Sequence, residues 1–516
     1  MKSTKFLIEL AKKIPIALLC VVLACEYGVL PNPAAPSSVD LKNAFYCELN
    51  LENRSDNTFK VRMFVDELSD VNKIFQFSAT APGTYRILNI GRFVKKFSTF
   101  DANYTELDVT KLSTNQWQLS DPTKTRIIEF EISATDLSSA TTGIALSQGS
   151  SISNDCVVIN PSAVFGYIEG LQERDFYLKI DYPQSWNVAT SLEKNSQGYY
   201  FAPSYAHLAD NPVMMGNLTV ASETVDGTEF NVFCYSKYGL VSATEILRKV
   251  QPIYQDANKF LKGLPVKRYN YLYHFDARQN KPGGGMEHAS SSIFAINEPF
   301  PELAGLRTTS AHEFFHTITP LSLHNEIIEN FNFAIPTPSE HLWWYEGATC
   351  WASIMMQYRN SSCDINTMLS YFAGRLYYPR TVSLSATALG CYDNDLSLWY
   401  AYSKGTLSMT LLDIRLLELS HGTKGLRELI LELFHEYHDK PFEDKSFFSI
   451  LTARSYPEIG DFLNHYVRGS DDLPLREYFD KVGIIFDARS YYYPLKLNPN
   501  PTMEQQALFK KWSVNL

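Results

Sequence analysis

Between about residues 41 and 240 the chain alternates apolar and polar positions over short runs, among them TFKVRMFVDEL, TRIIEFEIS, DCVVINP and EFNVFCYS, with Gly, Asn, Asp and Pro between them. A period of two places every second side chain on one face of a sheet, and those four residue types mark turns. The pattern predicts an N-terminal antiparallel β domain over 41–240. From Ala243 the period lengthens: ATEILRKVQPIYQDANKFLKGL has apolar residues at a spacing of three to four and predicts a helix. A strand, YNYLYHFDA, follows, then RQNKPGGGMEHASSSIFAINE, then a helix carrying HEFFH (His312 to His316) and closed by Pro320. Helical spacing continues through SLWYAYSKGTLSMTLLDIRLLELS, LRELILELFHEYHD and DFLNHYVRGSDDLPLREYFDKVG. The fold class is α+β, with 241–425 as a mixed central region and 426–516 as a helical C-terminal region. No repeat of about 20 to 50 residues interrupts this order.

The first residues follow a different logic. Lys2, Lys5, Lys12 and Lys13 precede an apolar run from Ile14 to Ala24. It is shorter than the ~20 residues a membrane-spanning helix needs and has the make-up of a signal-peptide core. Its end, Val22-Leu23-Ala24-Cys25, resembles the lipobox of bacterial lipoproteins, in which the Cys becomes the lipidated first residue; an ordinary secretory peptide with a chance Cys is the alternative. The Pro-, Ser- and Ala-rich stretch after it reads as a tether. The expectation is a signal peptide over 1–24, a lipid anchor on Cys25, a tether over 25–40, and export to the cell envelope with the membrane as a partner.

Composition narrows the function classes. A net charge of −10, with no basic run outside the first residues, leaves no electrostatic footprint for nucleic acid, which is excluded as a partner. Setting aside Cys20 and Cys25 leaves Cys47, Cys156, Cys234, Cys350, Cys363 and Cys391, with no C-x-x-C pair among them, so a cysteine zinc knuckle is not expected. Export permits disulfides, and sequence does not assign them.

HEFFH carries the chemistry. Residues four apart on a helix share a face, so His312 and His316 can aim both imidazoles at one ion while Glu313 projects beside them toward a water. Catalytic zinc takes three protein ligands and a water, with a Glu common as the third. Glu346, in HLWWYEGATCWASIMMQY, starts a second apolar-periodic helix among Trp343, Tyr345 and Trp351, where a carboxylate needs a charge partner. Glu326, Glu329 and Glu340 compete for the role, but they lie in an irregular segment rich in Asn and Pro and read better as solvated loop residues.

HEFFH, a gap of 29 residues, then W-Y-E-G resembles the glycyl aminopeptidase family of gluzincin zinc metallopeptidases. Two further segments are similar to that family. Gly283-Gly284-Gly285-Met286-Glu287-His288 resembles its G-G-x-E-H, and Tyr402-Ser403-Lys404-Gly405 its Y-x-K-G, with Ser403 where relatives often have Glu. APGTYRILNIGRFVKKFSTFDAN looks like its N-terminal β domain, and DFLNHYVRGSDDLPLREYFDKVGI like its helical C-terminal part.

The resemblance implies a thermolysin-like catalytic domain, Zn2+ held by His312, His316 and Glu346, and Glu313 as general base. It implies Tyr402 at the oxyanion, with Tyr400 as the alternative. It also implies a binding segment of Gly284, Gly285, Met286 and Glu287, with Glu287 gripping the free N-terminus of a peptide substrate, and the family name suggests N-terminal Gly or Ala. About 30 residues follow YFDKVGI, too few for the PDZ module of many members, so none is expected. Cys350, four residues after Glu346, departs from the family pattern; it reads as a buried thiol or a partner for Cys363. His435 and His438 have the wrong spacing for HExxH and read as surface, and His324 and His341 as polar loop residues. A zinc endopeptidase, with Glu287 only lining the cleft, and a non-catalytic envelope binding protein are the competing readings.

Overall fold

The computed structural model describes residues 33–52, 54, 57–136, 143–276, 284–298, 305–490 and 494–514. The apolar run 14–24, Cys25 and Gly283 lie outside the described residues.

In the strand Thr58–Phe64, Phe59, Val61 and Met63 turn inward while Lys60 is exposed and Arg62 half-buried. The neighbouring strand Ile127–Ser133 does the same with Ile128, Phe130 and Ile132. Their antiparallel register sets Val61 opposite Phe130 on the buried face and Arg62 opposite Glu129 on the other, where the two side chains meet at 2.6 Å. Period-two alternation thus supplies both an apolar core and a charge-paired outer face. These strands sit inside an eight-stranded sheet in which every pairing is antiparallel except that of Ala44–Asn50 with Asp175–Asp181. Two four-stranded sheets share its core through Phe75, Phe77, Val157 and Ile159.

Strands Thr219–Val225 and Thr228–Ser236 fall inside the span expected for the β domain, yet they bond into a separate five-stranded sheet. Thr228–Ser236 pairs in parallel with Arg268–Phe275, and the helix Ala243–Leu261 bridges them. Parallel neighbours require such a crossover, and helical spacing is what provides it. Phe230 stacks on Tyr254 of that helix at 3.8 Å between ring centroids. Alternation alone reports that a strand is half-buried, not which sheet it joins. The order across this sheet is Thr219–Val225, Thr228–Ser236, Arg268–Phe275, Ser291–Ile296 and, at the edge, Gly285–His288.

Against the sheet lie Leu306–Phe315, which carries HEFFH, then Leu342–Arg359 and Thr406–Leu419. A fully buried ion pair locks the last two: Arg359 Nη2 donates to Asp413 Oδ2 at 2.6 Å. Asp413 Oδ1 accepts the backbone N–H of Leu426, and Arg359 Nε donates to the carbonyl of Trp512, so one pair ties four chain segments together. Among the described residues of the span 426–516, the regular elements are helical apart from a short hairpin, Ile484–Phe486 with Leu495–Leu497. Among the described residues no helix is long and apolar enough to cross a membrane.

Removing one partner of a buried pair strands the other charge, at a cost of about 3–5 kcal/mol. Asp413→Ala should therefore lower the denaturation midpoint by an equivalent amount. Asp472→Ala, which breaks a half-exposed pair with Arg380, should cost ~0–1 kcal/mol in the same assay.

Candidate active site

Two tyrosines of the central sheet seat the HEFFH helix. The Tyr269 hydroxyl donates to the Glu313 carbonyl at 3.2 Å, and the Tyr273 hydroxyl meets Ser310 Oγ at 2.6 Å. His312 lies within the helix and His316 caps it with φ still helical, so the two imidazoles stay one turn apart with Nε2 atoms 3.1 Å from each other. Glu346, near the start of Leu342–Arg359, brings Oε2 to 3.3 Å from His312 Nε2 and 3.6 Å from His316 Nε2. The three ligand atoms fall within 4.8 Å of one another.

The outer ring nitrogens are already engaged. His316 Nδ1 donates to the Thr319 carbonyl at 3.0 Å, and Thr349 Oγ1 is 3.5 Å from the same nitrogen. His312 Nδ1 faces Cys350 Sγ at 3.5 Å. With the proton on Nδ1 in each ring, both Nε2 atoms turn a lone pair inward. Glu346 Oε2 is buried with no aligned donor. Three converging electron pairs with no proton between them fit a cation, and a His, His, Glu set with an open side suits catalytic zinc. The six cysteines described are free, so Cys350 is a buried thiol beside His312 rather than a partner of Cys363. Burial alone would raise that thiol's pKa, but His312 and Arg375 outweigh it and hold it below the ordinary range.

Glycines let the parts approach this closely. A Cβ on Gly347 would meet Gly405 backbone at 2.7 Å, so the helix bearing Glu346 and the segment bearing Tyr402 cross with backbones in contact. At Gly285 a Cβ would fall 2.3 Å from the Glu313 carboxylate, which lets the edge strand Gly285–His288 pass directly over that side chain. Tyr402 sits in a five-residue π-helical turn, Ala401–Gly405, inserted between Asp395–Tyr400 and Thr406–Leu419. Such a turn is a frequent mark of a functional site. The Tyr402 ring lies 5.8 Å from that of His312, and Tyr402, not Tyr400, lines the cleft with Gly284, Gly285, Met286, Glu287, His312, Glu313 and His316.

Charges crowd here. Burial, with the charges of Glu287 and Glu346 behind it and His312 opposing, pushes the Glu313 carboxyl up to about 8. Burial likewise raises Glu287, although His316 draws it back. Burial would raise Glu346 as well, but His316, His312 and Tyr402 prevail and hold it below the usual glutamate range. Burial and these carboxylates push the Tyr402 phenol well up, so it stays a donor. Oxygens of Glu287 and Glu313 also come within 4.8 Å of each other and of a His316 ring nitrogen.

The competing residues point elsewhere. Glu326 accepts the Asp444 N–H, Glu329 pairs with His324, and Glu340 with Arg468. His341 Nε2 bonds the Asp444 carbonyl at 2.7 Å, and His435 and His438 are exposed. Sequence reasoning missed Gly83 and Tyr85, which the β domain sends into the cleft. Tyr85 holds a left-handed φ of 47°, rare for a residue with a side chain. The only local sign of it was the turn-forming Pro-Gly that precedes it.

Helices carrying two His and a Glu to one point, beside a sheet whose edge strand borders the cleft, define a zinc metallopeptidase of the HExxH…Glu type. Residues 47–217 match the Peptidase M61 N-terminal domain and residues 305–383 the M61 glycyl aminopeptidase domain; the chain belongs to this family and is a zinc aminopeptidase. No curated protein sequence matches it. Its fold is shared with the structure of an aminopeptidase N family protein from Idiomarina loihiensis, at a TM-score of 0.74 and 20% identity over 86% of this chain and 80% of that one. An M1 zinc metallopeptidase from Deinococcus radiodurans shares it more distantly, at a TM-score of 0.52 and 12% identity over 84% of this chain and 95% of that one. A mutant of the Deinococcus enzyme bound to a Tyr-Ser-Ala substrate gives 0.53 and 10% over the same shares.

Purified protein should carry one zinc per chain, and Glu346→Ala should lose most of it by elemental analysis. Cys350→Ala removes only the group facing His312 Nδ1. It should retain zinc but release it to a competing chelator at roughly 10–100-fold lower chelator concentration, the usual scale for an outer partner of a ligand.

Proposed function

We propose that the protein is an exported, lipid-anchored aminopeptidase of the cell envelope that removes the first residue of peptides with a free N-terminus. The observation that carries this is Glu287, a carboxylate on an edge strand beside His316 and Glu313, close enough to the metal-binding cluster to fix how far a bound amine lies from it. His312, His316 and Glu346 would hold the zinc, which when bound supplies a Lewis acid for the substrate carbonyl and a lowered pKa for an attacking water.

The protein's residues do the rest. Glu313, in the ionised form that a cation in the cluster would favour against the burial that raises its carboxyl, takes the proton from the attacking water and delivers it to the leaving amine nitrogen. Tyr402, held protonated, donates to the oxygen that gains charge, a contact worth ~3–4 kcal/mol in other hydrolases. Glu287 binds the α-ammonium. The exposed edge of Gly284 to His288 offers backbone groups for the peptide to pair with as an added strand. Support for a peptide substrate also comes from the Tyr-Ser-Ala in the Deinococcus structure. The family name suggests Gly or Ala at the first position.

Glu287→Gln keeps the size and removes the charge. It should impair cleavage of free-amine peptides by roughly 2–3 kcal/mol, the scale of a hydrogen bond to a charged group, with zinc content unchanged. Wild type should barely cleave the N-acetylated peptide. Free-amine cleavage at the wild-type rate by Glu287→Gln would remove Glu287 as the amine anchor and favour an endopeptidase.

Export and anchoring rest on Lys2 to Cys25. Expressed in a bacterium that processes lipoproteins, the protein should incorporate labelled palmitate and partition into detergent, and Cys25→Ser should do neither. Equal labelling of the two would exclude the lipid anchor.

A further inference from the structure

The segment Ala81 to Arg86 enters the cleft from the β domain by a tight turn. Pro82 and Gly83, the latter at φ 70°, are residues such a turn prefers, and the Thr84 N–H closes it on the Ala81 carbonyl at 3.3 Å. The Thr84 hydroxyl donates to the same carbonyl at 2.7 Å. On the other flank Arg86 is held by Asp395 at 3.3 Å. Tyr85 lies between these two anchors with its backbone in the left-handed region, at φ 47°. That backbone is costly for a residue with a side chain. It persists where the surroundings impose it, and functional sites are where it clusters.

Packing sets where the Tyr85 ring lies. It rests on the cluster that contains Leu342, one helical turn before Glu346, and Ala401, the neighbour of Tyr402. Gly83, two residues earlier, approaches Glu287 instead, where a Cβ would fall 2.6 Å from the carboxylate. The segment therefore spans the cleft from Glu287 to the side where Glu346 and Tyr402 meet. The Tyr85 hydroxyl makes no hydrogen bond to a described residue and is not sealed in the interior. The residue borders the cleft with Glu287, His312, Glu313 and Tyr402. Burial, and then the charges of Glu346 and Glu287, push the phenol's pKa well up, so it keeps its proton.

A protonated, unpaired phenol facing a cleft has a hydrogen bond to give to what binds there. With the α-ammonium at Glu287 and the carbonyl at the metal cluster, the stretch of substrate between them is one nitrogen, Cα and the carbonyl group. The ammonium has no lone pair and Cα offers none, so the carbonyl oxygen is the acceptor on that stretch. We propose that Tyr85 is a second oxyanion donor, supplied by the β domain: its hydroxyl donates to the carbonyl oxygen of the first substrate residue alongside that of Tyr402. This rests on the free-amine reading of Glu287. Two phenols from two units then share the charge that develops on one oxygen, and the reaction requires the β domain to be seated on the catalytic unit.

Tyr85→Phe in the zinc-loaded full-length enzyme tests this, since it keeps the ring and its packing and removes only the hydroxyl. On a fluorogenic aminoacyl amide it should lower kcat and kcat/KM together by roughly 10²-fold, the scale for loss of one oxyanion donor, with KM and zinc content nearly unchanged. An α-amino phosphinic inhibitor, whose tetrahedral oxygens stand in for the oxyanion, should lose affinity in calorimetry by a similar factor. An unchanged kcat would overturn the assignment. So would a rise in KM alone, which would place Tyr85 at the ammonium, and so would loss of zinc together with activity, which would make it a structural residue. Wild type that cleaves blocked peptides but no free-amine amide would remove the aminopeptidase reading, and this inference with it.

Discussion

Three electron pairs brought within 4.8 Å inside a closed fold are the constraint on which the centre depends. His312 Nε2, His316 Nε2 and Glu346 Oε2 face one another, the two rings held through their Nδ1 atoms and Glu346 buried, so none can turn away to water. Left alone, such a cluster is electrostatically costly. An ion removes that cost, and the same arrangement explains the crowding of Glu287 and Glu313 around it. Burial and the neighbouring carboxylates raise both carboxyls, and a cation held between them would favour their ionised forms.

Holding this geometry falls to elements outside the cluster. Tyrosines of the central sheet grip the HEFFH helix from below, and the contact of Gly347 with Gly405 brings Glu346 beside Tyr402. Lys404, buried in the turn that carries Tyr402, donates to the carbonyls of Val382 and Asp471 and anchors that turn to the C-terminal region. The Arg359–Asp413 pair joins the helix bearing Glu346 to the one that continues from Tyr402. Fold and site therefore share the same helices, and loosening one loosens the other.

The β domain is more than a platform. Its segment Ala81 to Arg86 reaches across to the edge strand, with Gly83 so near Glu287 that a Cβ would fall 2.6 Å from the carboxylate. Arg86 meets Asp395 at 3.3 Å on the far side of the cleft, and Tyr85 packs against the cluster of Leu342, Ala388, Cys391 and Ala401. Both units line the cleft, with residues more than two hundred positions apart, such as Gly83 and Glu287, facing each other.

Chemistry was legible in the sequence where it is written locally. The i, i+4 pair of His312 and His316 follows from helical period alone, and Glu346 follows from a carboxylate placed among tryptophans that needs a charge partner. Alternation likewise revealed the strands of the β domain, and spacing revealed the helices. Sequence did not reveal which sheet Thr219–Val225 and Thr228–Ser236 would join, because alternation reports one buried face and not the neighbour across the hydrogen bonds. Nor did it reveal that Cys350 would face His312, that Tyr402 rather than Tyr400 would line the cleft, or that Tyr85 would enter it. Those depend on the angle between helices, on one extra residue in a turn, and on how two units pack. All three are set by contacts between distant segments, and no local pattern encodes them.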